Sequence, residues 1–431
     1  MTKVSSRCEW AVPSINGHRR IRRVKCDEVR PSCLRCTATG RTCDGYEEAA
    51  EQQSPIQTVI AGYGDSQEAR SIQFFIERTL SQLTSFFPDE FWGISVLQVA
   101  QYEPSISHAL VSFSAYHEAF TNGIPGNKIP FALKHYNLSI KELHASHSSL
   151  SHVHLILQGH TETAIRLFKH GHRMMSQFRQ ATCLNGILNH VQTLFNRLAV
   201  QVAILVGDVM PQLSLKCVSG SQLMMVNTNF TFSSLLEARE ALNAILALRF
   251  TETGTNSVLI ATFSQWSQAF DKFITSRGEI PLFPSEQRSL ALIDLHRRYF
   301  NMVLPWENKN SHQDVLSLDN YTGDFEELVN CASRVLETDT VPQAAPLFHL
   351  EIGVVPVLFV IAAWCRDPGV RRRAISLLMS RQAQEGVWSS HLTGRVARRI
   401  MEAEEENLDV RSCEDVPGPR RDREWEEVIG W

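Results

Sequence analysis

Four cysteines stand at the spacing Cys26-x6-Cys33-x2-Cys36-x6-Cys43. Thiolates so placed can fold a short chain around a d¹⁰ cation that imposes tetrahedral geometry, and zinc suits such a ligand set. The competing reading is four buried structural cysteines, which leaves the neighbouring run of arginines without a purpose. Cys8 is the one cysteine upstream. Five of the ten cysteines therefore lie in the first 43 residues, and Cys183, Cys217, Cys331, Cys365 and Cys413 are scattered. That is a local metal-ligand pattern rather than a disulfide framework.

Charge separates the same segment from the rest. Residues 1–46 carry ten Lys and Arg against four Asp and Glu, a balance of +6. The whole chain carries −4, so residues 47–431 carry −10. A basic head on an acidic body implies that the head meets a polyanion and the body does not. Arg20, Arg22, Arg23, Lys25 and Arg35 supply the charge nearest the cysteines. A guanidinium fork matches the O6 and N7 acceptors of guanine, and lysine suits phosphate. The plainer readings of this run are a nuclear-import signal or a solvated face, and both uses can coexist.

The order of these residues resembles the fungal zinc binuclear cluster. The resemblance rests on Arg20-Ile-Arg-Arg-Val-Lys-Cys-Asp-Glu28, Pro31-Ser-Cys33-Leu-Arg-Cys36 and Gly40-Arg-Thr-Cys43-Asp-Gly-Tyr46. It implies six thiolates holding two zinc ions. Cys26, Cys33, Cys36 and Cys43 would be the third to sixth ligands, with Cys33 bridging. It also implies a short helix in the major groove, on which Arg22 and Arg23 read a CGG-like half-site while Arg20, Lys25 and Arg35 contact phosphate. The expected function is a sequence-specific regulator of RNA polymerase II promoters, located in the nucleus. Its partners would be double-stranded DNA, a second copy of the chain or co-regulators, with no membrane. The alternative is a regulator acting through protein contacts alone.

The chain departs from that pattern at its start. The first two ligands are due at positions 16 and 19, where Asn16 and Arg19 stand. Cys8 with Glu9 and Trp10 has the expected follow-on, then Ala11 to Arg19 occupies the place of one cysteine, and Arg20 to Lys25 restores the spacing. A translated intron or a misplaced splice site would do this, and so would degeneration of the ligand set. His18 is a substitute ligand on one reading and a solvated side chain on the other.

Positioning elements follow from the rest of the chain. Residues 47–70 read as a polar linker and 409–431 as a poorly ordered tail around Pro417-Gly-Pro419. Between them, 71–408 reads as one mainly α-helical regulatory domain, because apolar residues recur at three and four throughout. Phe74, Phe75, Leu80, Leu83, Phe86 and Phe87 form one stripe; Phe325, Leu328, Val329, Ala332 and Leu336 form another. Ser234-Leu-Leu-Glu237 reads as a capping box, and Asp367-Pro368 as an N-cap with proline at the first helical position. The run Gly353 to Cys365, 13 residues with Pro356 inside, is too short to span a bilayer and reads as a buried helix. The first residues are polar, so no signal peptide is expected.

Further family-like motifs are Phe86-Phe87, Phe91-Trp92, Glu103 to His108, Phe131 to Asn137, and Trp364 to Trp388. They resemble, in order, a fungal-specific regulatory region, with one apolar helix short near Ser151 to Leu157. Seven histidines from His144 to His172 crowd one region and could suggest a metal site, but they lack fixed ligand spacing. No H-E-x-x-H, G-x-S-x-G, Walker or dinucleotide motif points to catalysis. The interruption at Ala11–Arg19 has a direct check. Sequenced complementary DNA should join codon 10 through a single cysteine codon to codon 20, and retention of codons 11–19 in every transcript would contradict this.

Overall fold

The computed structural model describes residues 66–123, 128–146, 193–194, 197–198, 200–201, 230–248, 256–278, 281–309, 315–338 and 345–416. The chain divides into two units, Met1–Gly62 and Tyr63–Trp431, and every described residue belongs to the second. Six of the seven crowded histidines, His147 to His172, the linker up to residue 65 and the tail beyond 416 lie outside the described residues.

The body opens with α1 (Ser66–Phe74), which runs through a π-helical turn (Phe75–Thr79) into α2 (Leu80–Leu83). Helix therefore begins at Ser66 and not at Ser71. The linker reading missed this because Gln67, Glu68 and Arg70 are polar, although Ser71 and Ile72 on the next turn are fully packed. A second π turn (Phe91–Ser95) leads into α3 (Val96–Ala100), followed by the long pair α4 (Pro104–Asn122) and α5 (Lys128–Ser146). The chain then forms α6 (Leu235–Leu248), α7 (Asn256–Ser276), α8 (Pro284–Lys309) and α9 (Thr322–Glu337). After a short strand β1 (Leu347–His349) come α10 (Val355–Trp364), α11 (Pro368–Ser380), β2 (Ala383–Glu385), β3 (Trp388–Ser389) and α12 (Ser390–Glu404).

Expected caps are in place. Ser234 Oγ accepts from the Glu237 N–H at 3.2 Å, and the Glu237 carboxylate accepts from Ser233 N–H at 2.7 Å. The Asp367 carboxylate accepts from Val370 N–H at 2.9 Å ahead of α11. Both apolar stripes face inward: Phe75, Leu83, Phe86, Phe87, Phe325, Leu328, Val329 and Ala332 are buried. Helix α10 is apolar on every side, and its residues 355–363 are all buried. α9, α11 and α12 pack around it, which is why it needs no polar face. No helix among the described residues is long and apolar enough to cross a membrane.

Two features depart from an all-helical reading. A three-stranded sheet joins the ends of the α10 region: β1 pairs in parallel with β2 (Leu347 with Ala383, His349 with Glu385), and β2 antiparallel with β3. Gly386 turns the β2–β3 hairpin with φ of +55°, and a Cβ there would overlap the Gln201 side chain. Packing also extends past Leu408. A 3₁₀ turn (Cys413–Asp415) carries a capping box between Ser412 and Asp415, and Val416 is 2% exposed. Arg366 donates to the carbonyls of Cys413 (2.6 Å) and Val416, so a buried cation fixes a segment whose composition alone suggested a loose tail.

A buried ionic network crosses the body. The Glu351 carboxylate, 6% exposed, accepts from Arg239 at 2.9 and 3.0 Å and from Arg197 at 3.0 Å. Arg197 also reaches Glu240 at 2.6 Å and Asp89 at 3.3 Å, and Arg239 lies 4.5 Å over the Phe87 ring. Burial pushes the Glu351 carboxyl up, but Arg239 and Arg197 outweigh it and hold the group ionised. Glu351→Ala should cost about 3–5 kcal/mol, because it removes the most buried carboxylate of the network and leaves two guanidiniums with only the more exposed Glu240 and Asp89. Denaturant unfolding of the full chain is the check; a loss below about 1 kcal/mol would show that the network holds little.

Candidate functional site

The residues to which the sequence assigns metal and DNA contacts are Cys8, Cys26, Cys33, Cys36, Cys43, Arg20, Arg22, Arg23, Lys25 and Arg35. All lie outside the described residues, so their roles rest on the sequence. The described body carries the other polar chemistry of the chain, concentrated where β1, β2 and the start of α10 meet.

Glu385 is the centre of that cluster. Its carboxylate accepts from the N–H groups of Val354 (3.1 Å) and Val355 (2.9 Å), so it caps the positive end of α10. His349, fully buried, places Nε2 3.8 Å from Glu385 Oε1 and Nδ1 3.1 Å from the Glu351 carbonyl. His296 Nε2 sits 3.0 Å from the Gly353 carbonyl. The Arg288 guanidinium lies 4.2 Å over the Phe86 ring. Gly353 has no side chain because a Cβ would run into the Glu385 carboxylate. Gln201 closes the cluster: its amide donates to the Leu350 carbonyl at 2.6 Å and accepts from Val387 N–H at 3.2 Å. No local pattern announced these residues. They come from distant elements, and a lone Glu or His between apolar residues carries no spacing to read.

Burial pushes the Glu385 carboxyl up to about 7, against the backbone donors of α10 and Arg288, which favour its ionised form. Burial acts the same way on two thiols: it raises Cys365 to about 12, and Cys331 is also raised. His117 is pushed down to about 3 by burial; its ring stacks on Phe348 at 4.4 Å and its Nδ1 is 2.8 Å from Thr79 Oγ1.

The shift of Glu385 has a signed consequence. Its folded pKa lies above its unfolded value, so the stability it contributes is complete below about pH 4.5 and is lost as pH rises through about 7. His117 and His296, both depressed by burial, act in the opposite sense and lose stability as pH falls below about 6.5. Comparison with Glu385→Gln isolates the carboxyl. The stability of the natural chain relative to the variant should fall by up to about 3 kcal/mol between pH 4.5 and 7.5. A difference that stays flat across that range would contradict the assignment.

Comparison with known proteins bears on the cysteine segment and on the whole chain. Residues 20–53 match the fungal Zn(2)-Cys(6) binuclear cluster domain, a zinc-binding domain. The match contains Cys26, Cys33, Cys36 and Cys43 with the basic residues from Arg20 onward, and leaves Cys8 and residues 11–19 outside. The aspercryptin biosynthesis cluster-specific transcription regulator atnN of Emericella nidulans is 24% identical over 539 residues, covering 90% of this chain and 86% of that protein. Those 539 aligned positions exceed the 431 residues here, so the relative carries segments with no counterpart in this chain. The transcription regulator lscL of Purpureocillium lilacinum is 71% identical over 42 residues, 10% of this chain and 9% of its own. The transcriptional regulatory protein moc3 of Schizosaccharomyces pombe is 50% identical over 40 residues, 9% of this chain and 8% of its own. No solved structure gives a significant match. The chain thus carries a match to the zinc binuclear cluster domain at residues 20–53 and resembles a fungal transcription regulator along most of its length.

Proposed function

We propose that the chain binds duplex DNA in the nucleus and regulates RNA polymerase II promoters carrying CGG-like half-sites. The observation that supports this best is the cluster match at residues 20–53, in which four thiolates and a basic run occur together. Cys26, Cys33, Cys36 and Cys43 hold zinc, with Cys8 as a further ligand. Zinc there supplies the fold, since thiolates must gather around the ion before the short basic helix can stand. Arg22 and Arg23 read guanine edges, and Arg20, Lys25 and Arg35 engage phosphates. The resemblance to a biosynthesis cluster-specific regulator supports a target set of that kind. Regulation rather than catalysis is the role, and the body from 71 to 408 carries regulatory contacts with co-regulators or a second copy.

One observation favours a second reading. The donor set serves one zinc ion in full and leaves the second short of at least one thiolate, because Asn16 and Arg19 stand where ligands are due. A chain so equipped regulates through protein contacts, with only charge-driven DNA affinity. The two readings separate on the full chain. Replacing Ala11–Arg19 by a single Cys should add one zinc ion per chain and raise preference for a CGG-containing duplex. In that repaired chain Arg23→Ala should cost about 1–3 kcal/mol on the specific duplex and far less on random DNA. Equal losses on both would remove Arg23 from base reading. A repaired chain without added zinc or added preference would leave the protein-contact reading standing.

A further inference from the structure

The first helices of the body hold a constellation unrelated to the cysteines. Glu68 on α1, His108 on α4 and His135 on α5 each place one ligand atom within 4.8 Å of the other two. His108 and His135 are 27 residues apart and meet because α4 and α5 pack against each other along their length. Their Nδ1 atoms stand 3.1 Å apart. Glu68 Oε1 is 3.6 Å from His135 Nε2, the ring nitrogen that does not face His108, so the carboxylate must turn toward the Nδ1 pair to share an ion with it.

We propose that Glu68, His108 and His135 form a zinc-binding site in the helical body, independent of the cysteine cluster. Two nitrogens bound to one tetrahedral ion at about 2.0–2.1 Å stand roughly 3.3 Å apart, close to the separation found here. The ion takes the place of the proton that the two Nδ1 atoms otherwise share. His135 is 1% exposed, and the Phe131 ring lies 4.4 Å from it, so that ring is fixed and one wall of the site is dry. The Glu68 side chain is 23% exposed and leaves an entry path and room for water as a fourth ligand. Two imidazoles and one carboxylate are a borderline donor set that suits zinc and excludes the oxygen-seeking calcium and magnesium ions. Bound zinc clamps α1 to the α4–α5 pair, and so couples metal supply to the stability of the body.

The test uses the full chain, stripped of metal by a chelator and titrated with Zn²⁺ alone. His108→Gln should retain one zinc ion fewer than the natural chain, and Glu68→Gln should bind that ion at least roughly tenfold more weakly. Zinc should raise the thermal midpoint of the natural chain more than that of either variant. If His108→Gln does not fold by circular dichroism, Glu68→Gln, on the rim of the site, decides alone. Unchanged zinc count, affinity and zinc-dependent midpoint in the folded variants would overturn the proposal and assign the histidines a plain hydrogen bond. Cobalt substitution keeps this result apart from the fate of the cysteines, because only thiolate-bound cobalt gives sulfur-to-metal charge-transfer absorption.

Discussion

A carboxylate buried in an apolar interior costs several kcal/mol unless donors or cations face it. The body of this protein buries two within one short stretch of structure. Glu351, just after β1, is held by Arg197 and Arg239. Glu385, on β2, is held by the first N–H groups of α10. Between them lies the entry to α10, whose apolar surface is covered on all sides by α9, α11 and α12. The consequence is a body locked around one helix. The network ties the Asp89 loop, the helical residue Arg197 and α6 to β1, and the sheet ties β1 to the α11–α12 connection. Gly353 and Gly386 are small because the carboxylate and the Gln201 amide occupy the space beside them.

Much of this architecture was legible in the sequence. Helical periodicity marked the stripes of α1–α2 and α9, and local capping chemistry marked the starts of α6 and α11. Those signals are encoded within a few residues. The buried network was not legible, because Arg197, Arg239 and Glu351 look like any surface charges until tertiary packing brings them together. The small sheet escaped for a related reason: strands of two and three residues are too short for alternation to show. Ser66–Arg70 and 409–416 were read as loose from their polarity, yet Ile72 and Val416 anchor the segments into the core. Among the described residues, the histidines that converge are His108 and His135, far apart in sequence.

The metal chemistry of the head was the reverse case. Four thiolates and a basic run suggested zinc chemistry from the sequence, and the binuclear cluster domain match covers the same residues from 20 onward. The same match stops short of Cys8, in agreement with the interrupted spacing over Ala11–Arg19. The acidic balance of the body opposes a polyanion, and the basic balance of residues 1–46 favours one.

The central claim is that thiolates of the N-terminal segment hold zinc. X-ray absorption at the zinc edge of the purified full chain tests it most directly, because sulfur and nitrogen or oxygen neighbours separate by distance. The account predicts a dominant sulfur shell at roughly 2.3 Å with a minor shell of lighter atoms at roughly 2.0–2.1 Å from the histidine site. A spectrum with no sulfur shell, from a chain that retains zinc, would contradict it.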